Sequence, residues 1–243
     1  MVWAAQVNVA TELSIGFEPG ATEALLIPQV ARDNLGIVDR ICTKQVGHLN
    51  TPSHWLMTIA AGKLWLRRSA AREKGVPRWA LGLGSIAPDL ALYGLSFGGI
   101  FYYSQWLGWP LKKTFEHMYS DAGLYFNDPY WIGLHNLLHS PTSLMLFAIG
   151  AWLLRRRFPN VTRWCLFFLT ACAAHSVIDI VTHHDDGPLL FFPFEWTVRF
   201  QSPVSYWDTA HHGGIFMIFE VILLLVLSVF VVLDWRKHRS QRA

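Results

Sequence analysis

The stretch Trp164-Cys-Leu-Phe-Phe-Leu-Thr-Ala-Cys-Ala-Ala-His175-Ser-Val-Ile-Asp179-Ile-Val-Thr-His183 decides the reading of this chain. It begins directly after Arg163 and is apolar except for an imidazole, a carboxylate and a second imidazole near its end. In a helix, spacings of i, i+4 and i+8 put His175, Asp179 and His183 on one face. Ionisable side chains in so apolar a segment are costly and point to function. Two adjacent turns can offer imidazole and carboxylate to one or two metal ions. The alternative is a His–Asp hydrogen bond that only satisfies two buried polar groups.

Composition supports a membrane setting for this segment. Of 243 residues, 52% are hydrophobic and 15% charged, well below the roughly 25% charged residues of an average soluble domain. The formal charge of +3 is small and its cations lie in loops, so they read as topology signals and no nucleic-acid partner is expected. Cys42, Cys165 and Cys172 form no metal or disulfide pattern. The chain has no glycine-rich phosphate loop and no GxSxG elbow, which argues against a serine hydrolase.

Working outward, the chain reads as an all-α, membrane-embedded bundle of about five apolar helices: His54–Leu66, Trp79–Ile100 interrupted by Pro88, about Tyr130–Leu154, Trp164–His183 and Ile215–Leu233. The second, third and fifth approach the roughly 20 residues that a spanning helix needs. The first is too short to span alone. Residues 1–49 read as a poorly structured or amphipathic extension, 50–235 as the helical metal-site domain and 236–243 as a basic tail. Thirteen of the 20 Lys and Arg fall in the 67–78 loop, the 155–163 loop and the C-terminal tail. The positive-inside rule makes these cytoplasmic in a multi-pass inner-membrane protein.

The motifs share a depth. His54, Asp89, His139, His175 and Asp179 stand 11 to 16 residues from Arg67, Arg78, Arg155 or Arg163, which is roughly 16–24 Å along a helix. They therefore fall together in the outer half of a core about 30 Å thick. His135-Asn-Leu-Leu-His139 is a second i, i+4 imidazole pair, read as metal-binding or as an interfacial anchor, with Ser140 and Thr142 placed to orient an imidazole. In Gly84-Ser-Ile-Ala-Pro88-Asp89 the proline breaks the segment. Its aspartate reads equally as a metal bridge or a helix cap. Asn50-Thr-Pro-Ser53-His54 resembles a helix start with Ser53 as cap and His54 in the first turn. His184, Asp185 and Asp186 follow at an outer turn. The aromatic run Phe191–Trp196, with Tyr206 and Trp207, suits a membrane interface. Glu220 is a lone acid that either faces the bundle or snorkels.

On Thr51-Pro-Ser-His54, Gly84-Ser-Ile-Ala-Pro-Asp89, His135-Asn-Leu-Leu-His-Ser140 and His175-Ser-Val-Ile-Asp179 with Thr182, in this order, the chain resembles the bacterial inner-membrane metal-dependent hydrolases of the YdjM type. The same order is similar, more distantly, to zinc-dependent phospholipase C and the S1/P1 nucleases. The resemblance implies a zinc-type site cleaving a phosphoester or lipid-like substrate. Its metal ligands would be His54, Asp89, His139, His175 and Asp179. His135, His183, His184 and Asp185 would be acid/base or orienting groups. Zn2+ or another divalent ion would be the cofactor, and membrane lipid and a small-molecule or lipid-like substrate the partners. Two departures stand out. The soluble enzymes ligate with a free N-terminal amine, whereas about 50 residues precede the first motif here. The YdjM-type pattern carries a second acid where this chain has Ala91.

Two rival readings remain. One is a membrane di-iron oxidase of the His-box kind, prompted by His183-His184 and His211-His212. Its boxes carry a further histidine where Asp179 and Asp208 stand here. The other is a scaffold or transporter whose buried polar groups only hold helices together.

Overall fold

The computed structural model describes residues 50–68, 77–206 and 208–240. Among these residues there are helices and no strands, with one isolated antiparallel bridge between Leu189 and Arg199. The expectation for residues 1–49 and the role suggested for Trp207 lie outside the described residues. Among the described residues two helices are long and apolar enough to cross a membrane, or up to four if each of two bent pairs makes one crossing. The sequence reads as about five apolar helices with the first too short to span alone, and α1 (Asn50–Arg68), which carries Lys63 and a basic end, is not among these candidate crossings.

The two unbroken spans are α8 (Pro159–Thr182) and α9 (Gly213–Ser240). Pro159 opens α8, where a missing N–H costs nothing. α8 is the central post, with α2 (Arg78–Gly84), α7 (Pro141–Leu153) and α1 packed on it. α9 is peripheral and turns most of its apolar surface outward, as Ile215, Ile218, Leu225, Val226 and Val229 show. It lies on α1 and is joined to it at two levels. Ser53 Oγ donates to Glu220 Oε1 at 2.6 Å, and Lys63 Nζ meets Asp234 at 2.7 Å. Both pairs ascend in the same chain direction, so α1 and α9 run parallel. Ser53 is thus buried inside α1, which starts at Asn50, and bonds Glu220 instead of capping the helix. Glu220 is buried and faces the bundle.

The two bent pairs give the fold its character. α2 meets α3 (Ala87–Ile100, continued by a π-helical turn Phe101–Trp106) at 45° across Ser85 and Ile86. Pro88 cannot donate to a carbonyl of the preceding turn, so the helix restarts there. After α4 (Leu111–Tyr119) and α5 (Leu124–Asn127) the chain enters α6 (Pro129–Asn136). Asp128 caps α6, accepting from Tyr130 and Trp131 N–H groups at 2.9 and 3.1 Å. α6 meets α7 at 55°, with Pro141 at the restart. Irregular backbone at membrane depth is tolerated where it is buried in protein, and both breaks abut α8.

Gly84 explains how closely the first break approaches. A Cβ at this position would lie 2.2 Å from the Phe168 main-chain oxygen and 2.9 Å from Ala171 Cβ. Only glycine lets α2 reach the α8 backbone here.

Candidate metal centre

The breaks and the post converge on one cluster. One ligand-type atom from each of Asp89, His139, His175 and Asp179 lies within 4.8 Å of the others. Asp89 comes from the first turn of α3, His139 from the α6–α7 break, and His175 and Asp179 from successive turns of α8. His54, from α1, reaches the same carboxylate, its Nε2 2.9 Å from Asp179 Oδ1. The five residues proposed from sequence as ligands therefore meet in one place.

Most of the spacings are close to those of a coordination sphere. His139 and His175 Nε2 stand 2.8 and 3.1 Å from Asp179 Oδ2, and 3.8 and 3.4 Å from Asp89 Oδ1. Bonds of about 2.0–2.1 Å to zinc hold neighbouring ligand atoms roughly 2.9–3.4 Å apart. Several of these close atoms are not satisfied by one another. His54 Nε2, His175 Nε2 and Asp179 Oδ1 are buried without a hydrogen-bond partner of acceptable geometry. Such atoms carry a desolvation cost that a shared cation would remove.

The surrounding shell fixes the imidazole of His175. The helix break leaves the Ser85 carbonyl outside the α2 ladder, and His175 Nδ1 donates to it at 2.7 Å. A carbonyl only accepts, so a hydrogen sits on Nδ1 and Nε2 is the nitrogen that faces the two carboxylates. An Nδ1–H held by a carbonyl with Nε2 turned to the centre is the usual setting of a metal-ligating histidine. Asp89 is held from its other side, since Thr51 Oγ1 donates to Asp89 Oδ2 and also contacts Tyr93 OH at 2.8 Å. Asp89 therefore faces the cluster, with Ile86 at the cap position. Ser176 Oγ donates to the main-chain oxygen of His139 and ties the second break to α8. His54 and His175 stack at 3.9 Å between ring centroids.

The other sequence candidates divide. His135 is buried beside His139, ring centroids 4.5 Å apart. Tyr125 OH donates to the Asp186 main-chain oxygen at 2.7 Å and so accepts from His135 Nε2 at 3.1 Å. Burial pushes the Tyr125 phenol well above its ordinary range, which Arg199 opposes and the Asp186 and Asp179 carboxylates reinforce. His135 Nδ1 is then the unprotonated, buried and unpartnered nitrogen. His183 ends α8, its Nδ1 3.0 Å from the Asp179 main-chain oxygen. His184 turns outward: its Nδ1 donates to Ser202 O at 2.6 Å and its ring stacks on His211 at 3.6 Å. Asp185 is exposed. Ser140 and Thr142 hold the following loop, not an imidazole, by donating to Phe192 O at 3.0 Å and Leu190 O at 2.8 Å.

Thr51, Tyr93, Ser85 and Tyr125 belong to the site but were not named from sequence. Thr51 lies within a quoted motif, three residues before His54, and was readable in principle. Tyr125 and the Ser85 carbonyl carry no local signal, since a main-chain oxygen is present at every residue.

This architecture, broken apolar helices around a buried His/Asp centre, defines a polytopic helical membrane protein with a candidate metal site. Residues 49–238 match the model of the YdjM inner membrane protein family, and the chain belongs to that family. Neither a curated protein nor a solved structure matches the chain.

Proposed function

We propose that the protein is a membrane-embedded, zinc-type metal-dependent hydrolase acting on a phosphoester or lipid-like substrate. The observation that carries this reading is the meeting of Asp89, His139, His175 and Asp179 within 4.8 Å, with His54 on Asp179. Mixed imidazole and carboxylate donors favour zinc or a similar divalent ion. When bound, such an ion supplies Lewis acidity to a scissile group and acidifies water.

The chain's own groups do the rest. Ser85 and Thr51 hold His175 and Asp89 in their ligating orientations. Tyr125 fixes the His135 tautomer, leaving Nδ1 to take a proton beside the centre. His183, steered by the Asp179 carbonyl, is the second acid/base assignment. His184 and Asp185 are directed outward and fit a role at the entrance.

The orientation proposed places the C-terminus and the 155–163 loop in the cytoplasm, with the site toward the outer half of the bilayer. Parallel α1 and α9 support it, because Arg67 and Arg68 then lie at the same end as Arg236 and Lys237. The His-box reading loses support from the His211–His212 pair, where His211 Nδ1 is spent on Asp208 at 2.8 Å.

Elemental analysis of protein purified in detergent is the test. We expect about one to three zinc-like ions per chain and hydrolysis of a short-chain phosphatidate or a nitrophenyl phosphodiester that stops on chelation. Absence of any stoichiometric transition metal after reconstitution overturns the reading. Iron with an oxygen-dependent spectrum redirects it to the oxidase.

A further inference from the structure

Outside the metal cluster, Arg199 stands apart. It is half-buried at the base of the aromatic loop that runs from Leu189. The loop is closed by Leu190 N donating to Val198 O at 3.0 Å. Its foot is pinned to the α6–α7 break, where Leu189 N donates to Asn136 Oδ1 at 2.7 Å and Ser140, Thr142 and Ser143 donate to Leu190 and Phe192 carbonyls. Phe191, Phe194, Trp196 and Val198 are exposed along the loop.

The Arg199 guanidinium lies 5.7 Å from the ring centroids of both Tyr125 and Phe126 and donates one N–H to Gly187 O. Arginine has five donors. Among the described residues no other acceptor meets the group, and no carboxylate pairs with it. Asp186 forms no ion pair with it, and Glu195 is turned to Thr197 at 2.7 Å. A half-buried cation with most of its donors free of protein acceptors can receive an anion without first breaking an ion pair. It connects to the centre through two intervening side chains, Arg199 over Tyr125, Tyr125 to His135, and His135 against His139.

We propose that Arg199 recognises the phosphate group of an anionic substrate at the mouth of the metal centre. The proposal rests on the hydrolase reading and narrows its substrate to a phosphate-bearing molecule. A planar guanidinium grips phosphate oxygens in pairs, which Lys cannot do. The aromatic loop above it offers an apolar surface along which acyl chains can lie, so a lipid phosphate fits best. A soluble phosphate would use the same donors.

The test uses the full chain in detergent micelles, both zinc-loaded and chelator-stripped. Binding is measured for dihexanoyl phosphatidate, inorganic phosphate and uncharged dihexanoylglycerol. Arg199→Gln should weaken phosphatidate binding about tenfold or more, the scale of a lost charge-assisted pair. Arg199→Lys should weaken it by a smaller factor. Metal content, thermal midpoint and dihexanoylglycerol binding should not change. Inorganic phosphate competing at similar concentrations marks a soluble phosphate as the ligand; competition only at far higher concentrations marks the lipid. Equal phosphatidate binding by wild type and Arg199→Gln, or no anion binding by wild type, overturns the proposal. If Arg199→Gln does not fold, unchanged phosphatidate binding by Arg199→Lys overturns it. Loss of the metal reading is separate: Arg199-dependent binding to a protein that never takes up metal removes the hydrolase and leaves this site standing.

Discussion

Gly84→Ala tests the link between helix packing and the metal centre, although Gly84 touches neither ligand nor substrate. The added Cβ would sit 2.2 Å from the Phe168 oxygen. Restoring an ordinary contact requires α2 to back away from α8 by about 1.2 Å, the difference from a separation of about 3.4 Å. The same displacement would stretch the Ser85 O to His175 Nδ1 bond, now 2.7 Å, toward ~3.9 Å, beyond hydrogen-bonding range. Overpacking alone costs about 1–3 kcal/mol. Leaving the buried N–H and carbonyl unpaired adds about 1–3 kcal/mol. Losing the partner that orients a ligating histidine weakens metal binding about 10- to 100-fold. The assay is competitive zinc titration of purified protein against a chromophoric chelator, with thermal unfolding in parallel. Gly82→Ala is the control, because its Cβ would meet Trp55 Nε1 at an ordinary 3.6 Å on the same helix. If Gly84→Ala binds zinc as wild type does, the Ser85 carbonyl does not orient His175 and the account of the first break is wrong.

Asp179→Asn removes the carboxylate shared by His54, His139 and His175, and we expect loss of stoichiometric zinc by elemental analysis while the protein still inserts. Stripping metal from the wild type should lower its thermal midpoint, since a ligand held at about 1,000 times its Kd contributes ~4 kcal/mol; an unchanged midpoint would mean that the cluster is stable without a cation. Cysteines placed at Arg156 and at Asp186, in a chain with Cys42, Cys165 and Cys172 replaced by alanine, should label from opposite sides of the membrane, and equal labelling from outside refutes the orientation. A chain starting at Asn50 should insert and bind metal like the full chain, because residues 1–49 show no apolar period matching the bundle; loss of metal on this deletion would make the extension part of the site.

Much of the centre was legible in the linear order of residues because a bilayer imposes a depth scale. His54, His175 and Asp179 can be counted from a basic boundary along one helix of known rise, while the counts to Asp89 and His139 run across or into a helix break, and similar depth on separate helices makes a meeting possible. The i, i+4 spacing of His175 and Asp179 is local and survives folding intact. The proline at 88 likewise marks a break by covalent geometry alone, whereas the sequence reads as one segment from about Tyr130 to Leu154 and the break before Pro141 emerges only in the structure. Depth does not determine azimuth. Which face each helix turns inward follows from packing between distant residues, and Gly84 against Phe168 is the contact that sets it for α2. Only that tertiary approach selects the Ser85 carbonyl as the partner of His175, sends Ser53 to Glu220 when it could have capped its helix, and turns His184 outward to Ser202. Hydrophobic pattern and spacing are properties of one helix at a time. The partner of a buried polar group is chosen by whichever other helix arrives beside it.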